Sequence, residues 1–405
     1  MRYFVAVYVA LLTLFIAIAA AGAIAFYDRE GPSGAAESYA DRYSFNVFRW
    51  ELRHFPEKWL YKAGGLFQDR GGDDDAALRE YFALIADISR LQEGGPSADL
   101  DAAEEKRGKL ENRAEDIIEG RVTSVLEDQG LTMGPPPFSD LGLVFPPVDF
   151  ELDSPPRVLA VSPRDRIELQ RSDLLTPGLS LGTALGIEEG VEGEDASVSA
   201  LVVNTGGVAT YPSAISDLRS YDSLIDTVCH EWLHHYLAFF PLGAGYFSGS
   251  ELRTLNESVA NIGGRELAEL YFERYGRLET PAPPPFPTRP PSPAPSATAA
   301  PFDFTKEMRA LRVKVEAMLA DGEITQAEQL MDDKRDEFEA EGVYIRRLNQ
   351  AYFAFYGFYG DTAASIDPIG PKLQMLLERA GSPGAFVRDA RGITSERELD
   401  ALLDE

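Results

Sequence analysis

Apolar residues recur at helical spacing over much of this chain, and they form short continuous runs at only a few positions. The densest helical pattern covers residues 224–240, where nearly every side is apolar, and ends at Pro241. A helix that is apolar on all sides is normally buried. Further helical periodicity is found at residues 36–60, 76–129 and about 303–340. Short runs at 157–162 and 197–203 predict strands. The pattern therefore predicts an α+β fold that is predominantly helical, with a small β-sheet.

Proline and glycine divide the chain into segments. Residues 28–132 are expected to form a helical N-terminal region, and residues 133–156 a proline-rich connector that leads into a main domain at 157–405. Within that domain, residues 281–301 contain ten prolines, which is too many for a helix or a sheet. We expect this stretch to be a disordered insertion.

Residues 200–213 combine an apolar run with a glycine break, and two interpretations of them are open. One is an edge strand beside a cleft, where the backbone of an extended peptide could pair with it. The other is an ordinary hairpin that turns at Thr205-Gly-Gly207.

The first 27 residues have the pattern of a membrane-targeting segment. The 25 residues from Tyr3 to Tyr27 carry no charge, and Arg2 precedes them. At 1.5 Å per residue this length crosses a bilayer, which predicts a single-pass membrane protein with a cytoplasmic N-terminus and an extracytoplasmic main domain. The alternative is a signal peptide processed near Ala23-Ile-Ala25, which would give a secreted protein. Both interpretations export the protein.

Charge and cysteine content narrow the range of partners. The chain has 66 acidic and 38 basic residues, and its net charge of -28 argues against binding to nucleic acid or to an anionic membrane surface. A substrate with a positive end would be attracted. The single cysteine, Cys229, excludes a disulfide within the chain and is expected to be a small core residue.

The buried helix carries the chemistry-bearing motif His230-Glu-Trp-Leu-His234. Positions four apart share one helix face, so His230 and His234 can bind one metal ion while Glu231 lies beside it. Zinc with three protein ligands keeps a place for water, lowers the pKa of that water toward about 7, and needs a carboxylate to accept the proton. The motif therefore predicts one zinc ion and Glu231 as general base. The alternative is a pair of core histidines bonded to backbone carbonyls.

A third ligand is needed from elsewhere in the chain. Positions 237 and 240 hold Leu and Phe, not the Gly and His of a three-histidine site, and His54 is the only histidine outside the cluster at 230–235. A carboxylate on the following helix is therefore expected, and Glu257 fits best because it lies away from that helix's apolar face. Glu251 and Glu266 are lesser candidates. Thr254-Leu-Asn-Glu257 also has the form of a helix-capping box, although Ser248-Gly-Ser-Glu251 offers an earlier helix start.

The sequence also suggests residues for two supporting roles, the orientation of a metal ligand and the stabilisation of an oxyanion. Asn261 lies four residues after Glu257 and can hydrogen-bond a metal ligand, which would fix the orientation of that ligand. His235 lies about 100° around the helix from His234 and is not expected to bind the metal. The donor to a developing oxyanion has several candidates, with Tyr352 preferred; the others are Tyr356, Arg346, Arg347 and Tyr211.

The spacing of these residues resembles the gluzincin metallopeptidases, in which His-Glu-x-x-His is followed on a second helix by Glu and, four residues later, by Asp or another polar residue. Asn261 replaces that Asp and keeps an acceptor without the charge. The segment 344–357 is similar to a helix near the C-terminus of bacterial aminopeptidase-like proteins. The resemblance implies a zincin-like domain that hydrolyses peptide bonds at one zinc ion. Aminopeptidase, endopeptidase and a catalytically silent zinc-binding scaffold or sensor are the alternatives within this prediction.

Overall fold

A computed structural model describes residues 35–54, 73–92, 97–133, 142–217, 220–278 and 302–404. The apolar segment predicted to span a membrane, the proline-rich stretch at 281–301 and part of the 133–156 connector lie outside these residues. Among the helices that the structure describes, none has both the length and the apolar character needed to cross a membrane.

The described part of the 28–132 region is helical. Helix α1 covers Ala35–Arg42, residues 47–54 are also helical, and the longer helices α2 and α3 cover Asp74–Gln92 and Ser97–Asp128. Leu78 of α2 and Ile118 of α3 are fully buried because they join the same apolar cluster that surrounds the central helices. Helices α2 and α3 are therefore part of the main core.

Two three-stranded sheets replace the single small sheet that the sequence predicts. The strands are β1 (Phe150–Leu152), β2 (Arg157–Pro163), β3 (Arg171–Leu175), β4 (Val198–Asn204), β5 (Gly207–Val208) and β6 (Ser213–Ile215). The first sheet is antiparallel with the order β3-β2-β4. The second has the order β1-β6-β5, in which β1 and β6 are parallel. Helix α4 (Leu181–Glu194) connects β3 to β4.

Glutamates on two helices cover the outer edges of β4 and β1, and all but Glu192 are buried. Each helix uses two glutamates four residues apart, and these accept hydrogen bonds from the N–H groups of alternate strand residues. The pairs are Glu188 and Glu192 of α4 with Val202 and Ala200 of β4, and Glu115 and Glu119 of α3 with Leu152 and Phe150 of β1. The spacings match because four helical residues rise about 6 Å and two strand residues about 6.7 Å.

The other two outer edges, those of β3 and β5, have different neighbours. Residues 43–45 pair with β3, since Phe45 donates to the Leu174 carbonyl at 2.9 Å and Thr176 to the Tyr43 carbonyl at 2.6 Å. On β5, Gly207 packs against the helix that carries the histidine motif, because a Cβ atom there would touch Glu231.

The remaining elements of the described chain are helices. They are α5 (Tyr221–Leu237), α6 (Pro241–Ala244), α7 (Ser250–Tyr275), α8 (Phe304–Ala320), α9 (Ile324–Ala340), α10 (Gln350–Tyr356), α11 (Ile369–Ala380), α12 (Pro383–Ala390) and α13 (Glu396–Asp404). Helix α5 packs along α7 at the centre of the main core. Helices α11 and α12, from the C-terminal part of the chain, also pack on α7. Helix α10 packs on β2 and β4.

Several predicted boundaries change. The single helix expected at 303–340 is two helices, because Gly322 has a φ of 80° and ends the α8 segment. The run 200–213 is neither one edge strand nor a hairpin at Thr205–Gly207, since β4 and β5 belong to different sheets. Helix α7 starts at Ser250, one turn before Thr254, so Thr254 and Glu257 are interior helix residues and not a capping box.

Candidate metal centre

Helix α5 brings the three motif residues to one place. Ser220 caps its start by accepting a hydrogen bond from the Ser223 N–H, and the helix is then buried on most sides. The buried apolar residues include Leu224, Val228, Trp232 and Leu233, as their periodicity predicts. His230 and His234 lie on the side that faces α7 and are 15% and 13% exposed. The surrounding apolar packing leaves these imidazoles few orientations.

Two adjacent glycines allow α7 to approach α5 closely. A Cβ atom at Gly264 would lie 2.9 Å from the backbone nitrogen of His230, and one at Gly263 would lie 3.1 Å from the side chain of Leu233. Both distances are shorter than ordinary contacts between such atoms. Position 264 therefore needs glycine, because the backbone of α5 opposes it, and a larger residue at 263 would have to displace the side chain of Leu233. This close approach places Glu257, two turns earlier on α7, against the histidine pair.

The three predicted ligand residues come together. The Nε2 atoms of His230 and His234 are 3.0 Å apart, and they lie 3.6 and 3.4 Å from Oε2 of Glu257. One ligand atom from each of the three residues lies within 4.8 Å of the other two, and among the described residues no other such group of histidine, cysteine and acidic side chains is found. His230, His234 and Glu257 thus form a group that can hold a metal ion.

Two neighbouring side chains orient these ligands. Nδ1 of His234 is 2.7 Å from Oδ1 of Asn256, a contact that places a proton on Nδ1 and directs Nε2 to the centre of the group. The hydroxyl of Tyr246 donates to Oε1 of Glu257 at 2.5 Å. Oε2 of Glu257 is buried and has no hydrogen-bond partner within the described residues. Two imidazole nitrogens and one carboxylate oxygen fit zinc, which would satisfy that oxygen.

The electrostatics of the group favour a positive charge at its centre. Although burial alone would lower the pKa of His234, the Glu257 carboxylate raises it to about 9. Burial acts to raise the pKa of Glu257, but the two histidines hold it well below its usual value. A carboxylate and a protonated imidazole therefore pair inside a buried site. A bound cation would replace that proton, because both supply the charge that Glu257 needs.

Glu231 lies on the β5 side of this group and is 6% exposed. A Cβ atom at Gly207 would be 2.7 Å from Oε1 of Glu231 and 2.9 Å from Cγ2 of Thr227. The absence of a side chain at Gly207 therefore makes room for Glu231. His235, as expected, is not part of the metal group; burial lowers its pKa to about 4, and it contacts the backbone of Ala209 in the turn that follows β5.

A tyrosine lies beside the group, although it is not the preferred candidate. The ring of Tyr359 is centred 6.3 Å from that of His230. Burial raises its pKa well above the usual value, and the carboxylates of Glu257 and Glu231 add to this shift, so the hydroxyl keeps its proton. Tyr352, the preferred candidate, packs in α10 with its ring 4.6 Å from that of Tyr356, against the apolar face of the β2–β4 sheet.

The other oxyanion candidates have structural partners. Arg346 and Arg347 pair with the buried Glu188, and Arg347 also binds Glu192, so both arginines fasten the segment before α10 to α4. Tyr211 is fully buried, and its hydroxyl donates to the Pro147 carbonyl at 3.0 Å. The structure brings none of these three to the metal group.

The remaining predicted residues lie on α7. Asn261 donates to both carboxylate oxygens of Asp361, at 2.8 and 2.9 Å, while Asn256 makes the contact with His234. Asn261 thus contacts the segment that carries Tyr359. Glu251 is exposed and accepts a hydrogen bond from the backbone of Glu396, and Glu266 is half-buried. Neither belongs to the metal group.

Four residues of the site have no assignment from the sequence: Gly207, Tyr246, Asn256 and Tyr359. Asn256 carries a local signal, because it directly precedes a predicted ligand. The other three lie on turns and short strands whose position depends on contacts between distant parts of the chain. A search restricted to helices could not have found them.

Comparison with known proteins found no matching family model, no similar curated protein and no similar solved structure. The inference of function therefore rests on the residues of the site.

Proposed function

We propose that this chain is a zinc-dependent metallopeptidase that hydrolyses peptide bonds with Glu231 as the general base. The observation that carries this proposal is the convergence of His230, His234 and Glu257 with Glu231 beside them. Bound zinc would supply a Lewis acid and a water whose pKa is lowered toward about 7. Glu231 would accept the proton of the attacking water and pass it to the leaving amine.

Tyr359 is the proposed donor to the oxygen that gains negative charge during the attack. Its ring lies next to His230, and its raised pKa supports a protonated hydroxyl at neutral pH. Donors of this kind contribute about 10²–10³-fold to the rate of acyl-transfer reactions. Tyr246 is less suited to this task, because its hydroxyl already donates to Glu257.

The β5 edge is the proposed binding site for the substrate backbone. Ser216 donates to the Gly206 carbonyl, so residues 206 and 208 bond to β6 in the antiparallel ladder. The N–H and carbonyl of Gly207 then point to the outer edge, since these directions alternate along an antiparallel strand. An extended peptide paired there would run past Glu231. This favours a peptide over a compact small molecule as substrate.

The decisive experiment compares the full-length wild type with Glu231→Gln and His234→Ala. Metal content is measured by elemental analysis, and hydrolysis is followed in a mixed peptide library. We expect one zinc per chain in the wild type, zinc without hydrolysis in Glu231→Gln, and loss of both in His234→Ala. Cuts that progress from amino termini would identify an aminopeptidase, and internal cuts an endopeptidase.

Three outcomes would contradict the proposal or a part of it. A wild type that binds zinc but cuts no peptide in the library would favour the alternative of a zinc-binding scaffold or sensor. A wild type without stoichiometric zinc would exclude the metal centre itself. Retained hydrolysis in Glu231→Gln would reject Glu231 as the base, because loss of a general base costs about 10²–10⁴-fold in rate.

We also propose that the protein acts outside the cytoplasm, anchored by residues 3–27. The length of this uncharged run supports an anchor, and processing near Ala25 would give a secreted form instead. Fractionation of cells that express the full-length chain, followed by protease treatment of intact cells, tests this location. A catalytic domain recovered in the cytosol would refute it.

A further inference from the structure

Arg253 is a buried arginine in the wall of the metal centre. It lies on α7 one turn before Glu257 and is 8% exposed. Its guanidinium carbon is 5.3 Å from the ring centre of Tyr246 and 5.2 Å from that of Phe358. Burial lowers the pKa of Arg253, and the negative charge of Glu257 acts against this shift.

The two rings that contact Arg253 belong to segments that complete the site. Tyr246 lies in the turn between α6 and α7; its hydroxyl donates to Glu257, and its ring lies 6.0 Å from that of His234. Tyr246 therefore contacts two of the three ligand residues. Phe358 directly precedes Tyr359. Neither segment is part of a long helix. The backbone of Tyr246 donates to the Gly243 carbonyl and that of Tyr359 to the Tyr356 carbonyl, and the contacts with Arg253 add to these turns.

We propose that Arg253 is a positioning residue for the metal centre: its guanidinium holds the ring of Tyr246 so that the tyrosine hydroxyl fixes Glu257 with one oxygen free for the metal. A planar guanidinium stacks on an aromatic ring, whereas a lysine ammonium is a compact charge on a flexible stem. The same plane contacts Phe358 and so aligns the neighbouring Tyr359. This inference rests on the proposed zinc site but not on the proposed hydrolysis.

Positioning and charge repulsion by Arg253 predict opposite changes in zinc affinity, so the direction of the change tells them apart. A positive charge near the ligands repels a metal cation, so its removal alone should tighten metal binding. Positioning predicts the reverse, because a misplaced Glu257 binds the metal less well. Arg253→Lys keeps the charge and loses the plane, so electrostatics alone predicts no change in that variant. Arg253→Met removes the charge and keeps most of the side-chain length.

The test measures the zinc dissociation constant of full-length variants by competition with a chromophoric chelator. We expect Arg253→Lys, Arg253→Met and Tyr246→Phe each to weaken zinc binding about tenfold or more, the range found when groups that orient metal ligands are lost. The double variant Arg253→Lys/Tyr246→Phe should be little worse than the weaker-binding single variant, because both act through one contact. Arg312→Met is the matched control, since the Arg312 side chain is 12% exposed and its guanidinium carbon lies 5.3 Å from the ring centre of Phe353 in a different part of the fold.

A second readout is the visible absorption of the cobalt-substituted protein at saturating metal. A changed spectrum in Arg253→Lys, with an unchanged spectrum in Arg312→Met, would support altered placement of the ligands. Wild-type zinc affinity and cobalt spectrum in Arg253→Lys, or tighter zinc binding in Arg253→Met, would overturn the inference. If circular dichroism shows that Arg253→Met is unfolded, Arg253→Lys and Tyr246→Phe decide it. Failure of the wild type to bind zinc would instead refute the proposed function.

Discussion

Substitution of Gly207 by alanine is the sharpest test of the relation between β5 and Glu231, the proposed general base. The new methyl group would lie 2.7 Å from Oε1 and 3.0 Å from Cγ of Glu231. Ordinary contacts begin near 3.4 Å, so the methyl group and the carboxylate must separate by about 0.7 Å. The φ angle of Gly207 lies outside the left-handed region, so alanine is compatible with the backbone there. The perturbation is therefore steric and is directed at Glu231 and at the neighbouring Thr227.

The expected loss follows from this displacement. A shift of about 1 Å in a reacting group can cost about 10²-fold in rate, so a separation of 0.7 Å should lower kcat/KM about 10- to 100-fold. This corresponds to about 1.4–2.8 kcal/mol of transition-state stabilisation. Zinc content should stay at the wild-type level, because none of the three metal ligands is among the atoms closest to the new methyl group.

The assay is steady-state hydrolysis of a fluorogenic peptide chosen from the library, with zinc measured on the same samples. Gly186→Ala is the matched control. It lies in α4, where an added Cβ atom meets no atom within 4 Å, and should be neutral or slightly stabilising. A Gly207→Ala protein with full zinc content and wild-type kcat/KM would refute the assigned position of Glu231 beside β5.

Three further predictions address the oxyanion donor, the ligand orientation and the pH dependence of stability. Tyr359→Phe should lower kcat about 10²–10³-fold at unchanged zinc content, while Tyr352→Phe, measured by the same peptide assay, should have little effect. Asn256→Ala should weaken zinc binding about 10- to 100-fold in chelator competition, and Asn261→Ala should do so far less, because Asn256 contacts His234 and Asn261 contacts Asp361. Burial raises the pKa of Glu51 from 4.5 to about 8, against a hydrogen bond from Tyr211, so the folded state binds the extra proton. Stability from this proton is complete below pH 4.5 and is lost as pH rises through about 8, at roughly 1.4 kcal/mol per pH unit. Urea unfolding at pH 5 and pH 8 measures this effect, and Glu51→Gln should remove it. The same change in the free energy of unfolding between the two pH values in both proteins would contradict the prediction.

The sequence carries the metal ligands because their signals are local. His230 and His234 share a helix face through their spacing alone, and the apolar run around them predicts burial. Glu257 is predicted as the third ligand because it lies on the following helix, away from the apolar face, and because no further histidine is available. These inferences need only helical periodicity and a count of the histidines in the chain.

The groups that orient the ligands depend on packing between distant segments. The sequence favours Asn261 because it lies four residues after Glu257, whereas the crossing of α5 and α7 selects Asn256. Tyr359, the tyrosine beside the metal group, lies after α10 and not within it. Helix α10 itself packs on β2 and β4, a sheet that the sequence predicts only in part. From the sequence alone, a glutamate such as Glu188 is expected at the surface. Its burial is explained only by the edge of β4, where it accepts a hydrogen bond from Val202.

The covered strand edges bear on the proposed substrate. Glutamates close the outer edges of β1 and β4 and residues 43–45 pair with β3, so backbone groups there already have partners. An additional strand at these edges would have to displace buried hydrogen bonds, at about 1–3 kcal/mol for each group left unsatisfied. On β5, Gly207 lies beside Glu231, and its N–H and carbonyl point away from β6. Strand pairing by a peptide is thus favoured at β5, where the proposed general base lies, and this links the arrangement of the sheets to the proposed hydrolysis of extended chains.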